Sequence, residues 1–338
     1  MQKSSITATI DFDREGVQHG FLTLPYSHDD SAWGSIMIPI TVIKNGHGPT
    51  ALLTGGNHGD EYEGITSLLK LTNSLQADQI QGRVIIVPMM NLPAVQNASR
   101  TSFIDKGNLN RSFPGNPIGT VTEKIADYFT RYLVPKCDFA LDIHSGGKTL
   151  DIVPFAAAHR LNNLDQEEAC ILGAKLFGAP YTMILLEMDA TSLYDTAVES
   201  QGKIFVTTEL RGGGTSTPET IAYSDRGIRN FLRFSGNLPG DYEQPTQPTQ
   251  PTKLLDMPDA SCYVQSQHHG ITEYLFDLGD TVKKGDVLVR IFSTERTGTA
   301  PVEYKSQRNG IFAARRFPAM VNIGDTIAVI AEDCGEIG

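Results

Sequence analysis

Apolar residues gather in short, nearly continuous runs at 50–56 (TALLTGG), 83–91 (RVIIVPMMN), 139–145 (FALDIHS), 181–187 (YTMILLE) and 203–210 (KIFVTTEL). Runs of strand length without polar alternation predict strands buried on both faces. Between them the period changes to that of a helix. Ile65, Leu68, Leu69 and Leu75 form one apolar stripe, and Ile125, Phe129, Tyr132 and Leu133 a second, opened by Thr120 and Glu123 at capping-box spacing. This alternation predicts an α/β fold, a mixed and mostly parallel sheet with helices on both faces. Ligands of such sheets gather at the carboxyl ends of the strands. His58, His144 and Glu209 each stand at or just beyond such an end.

Past residue 240 the pattern is different. EQPTQPTQPT (243–252) repeats Gln-Pro-Thr, and a proline at every third position favours an extended spacer. The chain therefore divides into 1–240, whose first 48 residues form a β extension, a linker at 241–252, and a β-rich segment at 253–338. In that segment HHGITEYLFDLGDTVKKGDVLVRI is echoed by RNGIFAARRFPAMVNIGDTIAVI. Two half-repeats, each with a Gly-Ile start and a later Gly-Asp-Thr turn, predict a small pseudo-symmetric β-sandwich or barrel.

Composition narrows the function classes. With 40% hydrophobic and 20% charged residues over 338 positions, the chain reads as a soluble globular protein. It lacks the run of about 18 apolar residues that a membrane span requires. The N-terminal MQKSSITATIDFD has no basic-then-apolar secretory pattern, so a cytoplasmic location is expected. Cys137, Cys170, Cys262 and Cys334 are widely spaced and are read as reduced thiols. A net charge of −11 argues against nucleic acid or an anionic membrane as partner, because both need a concentrated basic face. A small-molecule substrate fits better.

The glycine-rich stretch TGGNHGDEYEG (54–64) follows one strand run and precedes one helical stripe. His58 and Glu61 within it have the spacing of a near pair of metal ligands, and His144 in DIHSGG would complete a three-ligand set of the kind that holds catalytic zinc. Taken alone, Glu61 fits equally well as an acidic residue at a helix start. Glu209, in TTEL, ends an apolar strand and is placed either as a proton acceptor for water or as an ordinary surface or capping carboxylate. Arg100, Asn110 and Arg111 crowd a polar loop. Arginine suits a substrate carboxylate or a developing oxyanion, and loop salt bridges are the plain alternative.

Taken together and in this order, HGDE (58–61), NLNR (108–111), DIHSGG (142–147) and TTEL (207–210) resemble the zinc carboxypeptidase superfamily. The resemblance is strongest to its succinylglutamate desuccinylase and aspartoacylase branch, which hydrolyses N-acyl amino acids. It implies one zinc ion per chain held by His58, Glu61 and His144, with Glu209 as general base and acid. It further implies Arg111 and Asn110 on the substrate α-carboxylate, Arg100 at the oxyanion, and a homo-oligomer, a dimer. Such ligands also accept cobalt or manganese. Arg211 stands where many relatives have a small residue, and the tyrosine that closes over peptide substrates has no assignable counterpart. If the substrate carries a side-chain ammonium, a carboxylate must meet it, and Asp60, Glu63, Glu187 and Asp189 are unranked candidates. The β tail resembles biotinyl and lipoyl carrier domains, yet STERTGTAPV (293–302) lacks their lysine, so a carrier role is not expected. An enzyme acting on acidic acyl amino acids and a non-catalytic metal or small-molecule binder are the alternatives.

Overall fold

A computed structural model of the chain describes residues 2–244 and 252–336. One mixed sheet organises it. Inward from the short edge strand Thr7–Ala8 the strands run Gly16–Pro25, Ser35–Asn45, Gly82–Val87, Thr50–Gly55, Phe139–His144, Ile204–Glu209, Phe155–Ala158 and Tyr181–Ile184. The four from Gly82–Val87 to Ile204–Glu209 are mutually parallel, and the N-terminal hairpin joins them antiparallel. All five apolar runs form strands.

The parallel strands are buried on both faces. Leu52, Ile85 and Ala140 face one core, with Ile125 and Phe129 of the helical segment 121–133 and with Tyr194 and Val198 of the helix Tyr194–Glu199. Ala51, Leu53, Val84 and Leu141 face the other, covered by the helices Tyr62–Ser74, Leu164–Phe177 and Pro218–Phe234. Thr120 and Glu123 form the expected capping box. The first helical stripe is rotated from its expected position: Leu69 is exposed and Leu71 buried.

Register explains why distant residues meet. Glu209 pairs with His144 across adjacent parallel strands, and Gly55 pairs with Ile143 on the other side. The turn after Gly55, His144 and Glu209 therefore leave the sheet at the same edge. Within that turn Gly59 lies against the backbone of 94–95, so close that a Cβ would fall 2.0 Å from the carbonyl carbon of Ala94. Its N–H also donates to Ser99 O at 2.9 Å. Overpacking against backbone cannot be relieved by a rotamer change, so Gly59→Ala is expected to cost about 3 kcal/mol, read as a lowered thermal midpoint.

The sheet continues into the C-terminal segment. Lys253–Asp256 pairs parallel with Tyr181–Ile184 and antiparallel with Thr326–Glu336, while Gly310–Arg316 pairs with Leu150–Ile152. Ile152, Phe155 and Met183 share a core with Leu255, Met257, Ile311 and Val329. A second sheet, Val302–Lys305, Val287–Phe292, Gly270–Tyr274 and Met320–Val321, packs over Phe312, Ile327 and Ile330. The Gly-Asp-Thr turns of the two half-repeats adopt the same left-handed glycine, with φ of 91° at Gly279 and 89° at Gly324. Of the expected linker, residues 245–251 lie outside the described residues. Cys137, Cys170, Cys262 and Cys334 are all unpaired thiols. No helix among the described residues is long and apolar enough to cross a membrane.

Candidate active site

Glu61 occupies the N-cap position of the helix Tyr62–Ser74, but its side chain makes no capping hydrogen bond. It turns instead to two histidines. His58 Nδ1 lies 2.7 Å from Glu61 Oε1, and His144 Nδ1 lies 2.8 Å from Glu61 Oε2. All three residues are buried, and their ring and carboxylate atoms are close enough to hold one metal ion. The helix-start reading of Glu61 is therefore incomplete.

Behind His144 stands a residue that the sequence reading did not single out. His144 Nε2–H donates to Asp142 Oδ2 at 2.8 Å, and Asp142 is held by Thr54 Oγ1 at 2.8 Å and Asn57 Nδ2 at 3.0 Å. A carboxylate on the outer nitrogen orients the ring and leaves Nδ1 to face a metal. The donor set fits zinc: two imidazole nitrogens and a carboxylate, with the outer nitrogen of His144 already occupied. Asp142→Asn is expected to weaken zinc binding by about 10- to 100-fold, measured by competition with a chromogenic chelator.

Burial and charge oppose one another throughout the site. Burial alone would raise the Glu61 carboxyl, but the His58 and His144 charges outweigh it and hold the group well below the usual carboxylate range. Burial would depress His144, yet Asp142 and Glu61 raise it well above an ordinary histidine. His58 has no such second carboxylate. Burial lowers it, and the nearby Arg100 charge lowers it further. Glu209 is pushed up to about 8 by burial and by the Glu61 charge.

Glu209 Oε2 is buried with no hydrogen-bond partner among the described residues. It lines a cavity of about 350 Å³ together with His58, His144, Arg100, Asn110 and Arg111. The sequence candidates are thus brought to one chamber. Arg100 Nη1 lies 3.6 Å from Glu61 Oε1, and Asn110 Oδ1 accepts from the N–H of Tyr194 at 3.0 Å. Arg111 is exposed and donates to Asn110 O at 2.7 Å. Arg211 is turned elsewhere. In the left-handed region at φ 73°, it places Nε 3.5 Å from Asp151 Oδ1, whose other oxygen accepts from Arg315 Nη2 at 3.0 Å.

The four candidate carboxylates separate cleanly. Glu187 and Asp189 line the cavity, whereas Asp60 accepts from the N–H of Lys148 at 2.9 Å and Glu63 is buried in the first turn of its helix. Asp195 and Tyr263 also line it, and neither was marked by a motif. Tyr263 comes from the C-terminal segment and donates to Leu186 O at 2.6 Å. His159, which carries no motif either, is half-buried next to these acids, 2.9 Å from Glu199 Oε1.

A buried His-Glu-His group able to hold a metal ion, its histidines sharing a cavity with the Glu209 carboxylate at the strand ends of a mixed sheet, defines the class, a hydrolase. Residues 47–235 match the succinylglutamate desuccinylase/aspartoacylase catalytic domain, and the chain belongs to that family of N-acyl amino acid hydrolases. It is 62% identical, over 99% of its own length and 97% of the relative's, to the N-alpha-acetyl-L-2,4-diaminobutyric acid deacetylase of Halomonas elongata. Among solved structures, it is similar to the product-bound ectoine utilization protein EutE (DoeB) of Ruegeria pomeroyi, with TM-score 0.95, 54% identity, and coverage of 98% of this chain and 100% of that one. A succinylglutamate desuccinylase/aspartoacylase from Rhodobacter sphaeroides superposes with TM-score 0.92 at 36% identity, covering 98% of this chain and 99% of that one.

Proposed function

We propose that this chain is a zinc-dependent amidohydrolase that removes the acetyl group from N-α-acetyl-L-2,4-diaminobutyrate, giving acetate and 2,4-diaminobutyrate, in ectoine degradation. The observation that carries the reading is the buried His58, Glu61 and His144 set, whose two histidines line one cavity with Glu209, in a chain 62% identical over nearly its whole length to a deacetylase of that substrate. The N-terminal stretches DFDREGVQHG and SAWGSIMIPITVIKNG, outside the catalytic-domain match, belong to the same full-length resemblance.

One zinc ion per chain, held by His58, Glu61 and His144, would supply Lewis acidity and lower the pKa of a water towards about 7. Glu209 takes a proton from the attacking water. A carboxyl with raised proton affinity suits this work near neutral pH. The water oxygen bonds to the acetyl carbon, and Arg100 offsets the charge developing on the carbonyl oxygen. The carbon–nitrogen bond then breaks, and Glu209 returns its proton to the departing α-amine. Arg111, with Asn110 beside it, holds the α-carboxylate through a bidentate guanidinium.

An acidic acyl amino acid is the second reading. Against it, Arg211 is engaged by Asp151, and the cavity adds the carboxylates Glu187, Asp189 and Asp195. For the remaining organisation we take the chain to be cytoplasmic and a homodimer, with a catalytic unit at 1–240. The barrel-like segment 253–338 serves as a wall of the cavity rather than as a carrier, a role supported by Met257, Tyr263 and Val329 in the lining. The substrate assignment is tested by acetate release from N-α-acetyl-L-2,4-diaminobutyrate, compared with succinate release from N-succinylglutamate and acetate release from N-acetylaspartate. Rapid turnover of the first compound alone is expected; preferential turnover of an acidic one would replace the substrate.

A further inference from the structure

The steps above leave unused a group of acids on the wall of the same cavity. His159 Nδ1 pairs with Glu199 Oε1 at 2.9 Å, while its Nε2 lies 3.9 Å from Asp195 Oδ2 and has no hydrogen-bond partner among the described residues. Burial alone would depress His159, yet the Glu199 hydrogen bond and charge, with Asp195 and Glu187, raise it to about 9. It is therefore cationic at neutral pH, and its close partner is Glu199.

That pairing leaves one histidine cation among three carboxylates: His159 is hydrogen-bonded to Glu199, while Asp195 and Glu187 face it only at longer range, with ligand atoms of His159, Glu187 and Asp195 within 4.8 Å of one another. Asp195 is 7% exposed; its Oδ1 accepts from Thr196 Oγ1 at 3.0 Å, whereas Oδ2 has only the distant His159. Glu187 carries no hydrogen bond among the described residues, and both side chains line the same cavity as His144 and Glu209. Each carboxyl is pushed above its usual range, chiefly by burial, with the Asp195 charge adding to it at Glu187 and the Glu199 charge at Asp195, while the His159 charge opposes it at both. Two like charges in a partly desolvated wall favour a cation between them.

The ligand that fits is a primary ammonium on a short side chain, because the anion-binding group is tied to the same wall. Asn110 Oδ1 holds the N–H of Tyr194, the residue immediately before Asp195. An α-carboxylate at Arg111 and Asn110 would thus sit beside the acids, within reach of a two-methylene side chain. We infer that Glu187 and Asp195 form the subsite for the side-chain ammonium of an N-α-acyl diamino acid and set the substrate class, with His159 as a positioning residue. This inference deepens the proposed function and rests on it for the identity of the anion-binding end.

The test compares kcat/KM of the zinc-loaded enzyme for N-α-acetyl-L-2,4-diaminobutyrate and for N-acetyl-L-norvaline, in which a methyl group replaces the ammonium. Wild type is expected to prefer the charged substrate at least tenfold. Glu187→Gln and Asp195→Asn should each shrink that preference at least tenfold, chiefly through KM. Glu187 lacks a hydrogen bond to lose, so its variant keeps the test decisive should Asp195→Asn fail to fold. An undiminished preference in a folded Glu187→Gln enzyme overturns the inference. So does a second zinc equivalent that disappears in that variant, since the group around His159 could then be a metal site. If wild type hydrolyses neither acetyl compound, the deacetylase reading fails separately. Calorimetry with 2,4-diaminobutyrate and norvaline then decides the subsite: tighter binding of the diamino acid, weakened by Glu187→Gln, upholds it, and equal binding refutes it.

Discussion

Replacing Glu209 with glutamine is expected to lower kcat by about 100- to 10,000-fold while zinc content remains one per chain. Glutamine keeps the shape but cannot accept and return a proton. Glu209 lies one strand over from His144 by register and is not among the three residues whose atoms converge as ligands. Parallel measurements of acetate release and bound zinc separate proton transfer from metal binding. A variant that loses zinc along with activity would place Glu209 in the ligand set instead.

Metal loading should depend steeply on pH. In the metal-free protein Glu209 is pushed up to about 8, and His144 is raised well above 6.5 by Asp142 and Glu61 against the effect of burial. At pH 6–7 both therefore hold a proton that an incoming cation must displace, one directly from His144 Nδ1 and one by charge repulsion at Glu209. The metal-free form binds more protons, so raising the pH favours loading. Each displaced proton contributes a factor of ten per pH unit, giving on the order of a 100-fold rise in zinc affinity between pH 6 and 7. Isothermal titration in buffers of different ionisation enthalpy reads the same protons directly. A pH-independent affinity would mean that the two groups are already deprotonated.

Much of this site was legible in the sequence, because its residues sit where two periodicities meet. The runs 50–56, 139–145 and 203–210 mark strands by continuous apolarity, and His58, His144 and Glu209 follow from strand ends. Thr120 and Glu123 gave a local helix start that depends on few neighbours. Asp142 escaped notice because an acid inside an apolar strand looks like an interruption until Thr54, Asn57 and His144 are seen around it. Asp195 and Glu199 lie one turn apart on the helix Tyr194–Glu199, but His159 follows the strand Phe155–Ala158; only the packing of that helix on the sheet brings the histidine to the two acids. The strand Phe155–Ala158 was also unmarked, since three successive alanines carry little strand propensity and are placed by pairing with Ile204–Glu209. The C-terminal segment read correctly as β-rich, but its insertion beside Tyr181–Ile184 depends on long-range pairing that no local pattern encodes.

The central claim is that His58, Glu61 and His144 hold the metal on which hydrolysis depends. Its most direct test is to strip the protein with a chelator and restore zinc in sub-stoichiometric steps, following acetate release from N-α-acetyl-L-2,4-diaminobutyrate at each step. The account predicts no turnover without metal and a linear recovery that levels off at one zinc per chain, with no recovery in Glu61→Ala. Full turnover by the stripped protein, or zinc-restored turnover in Glu61→Ala, would contradict it.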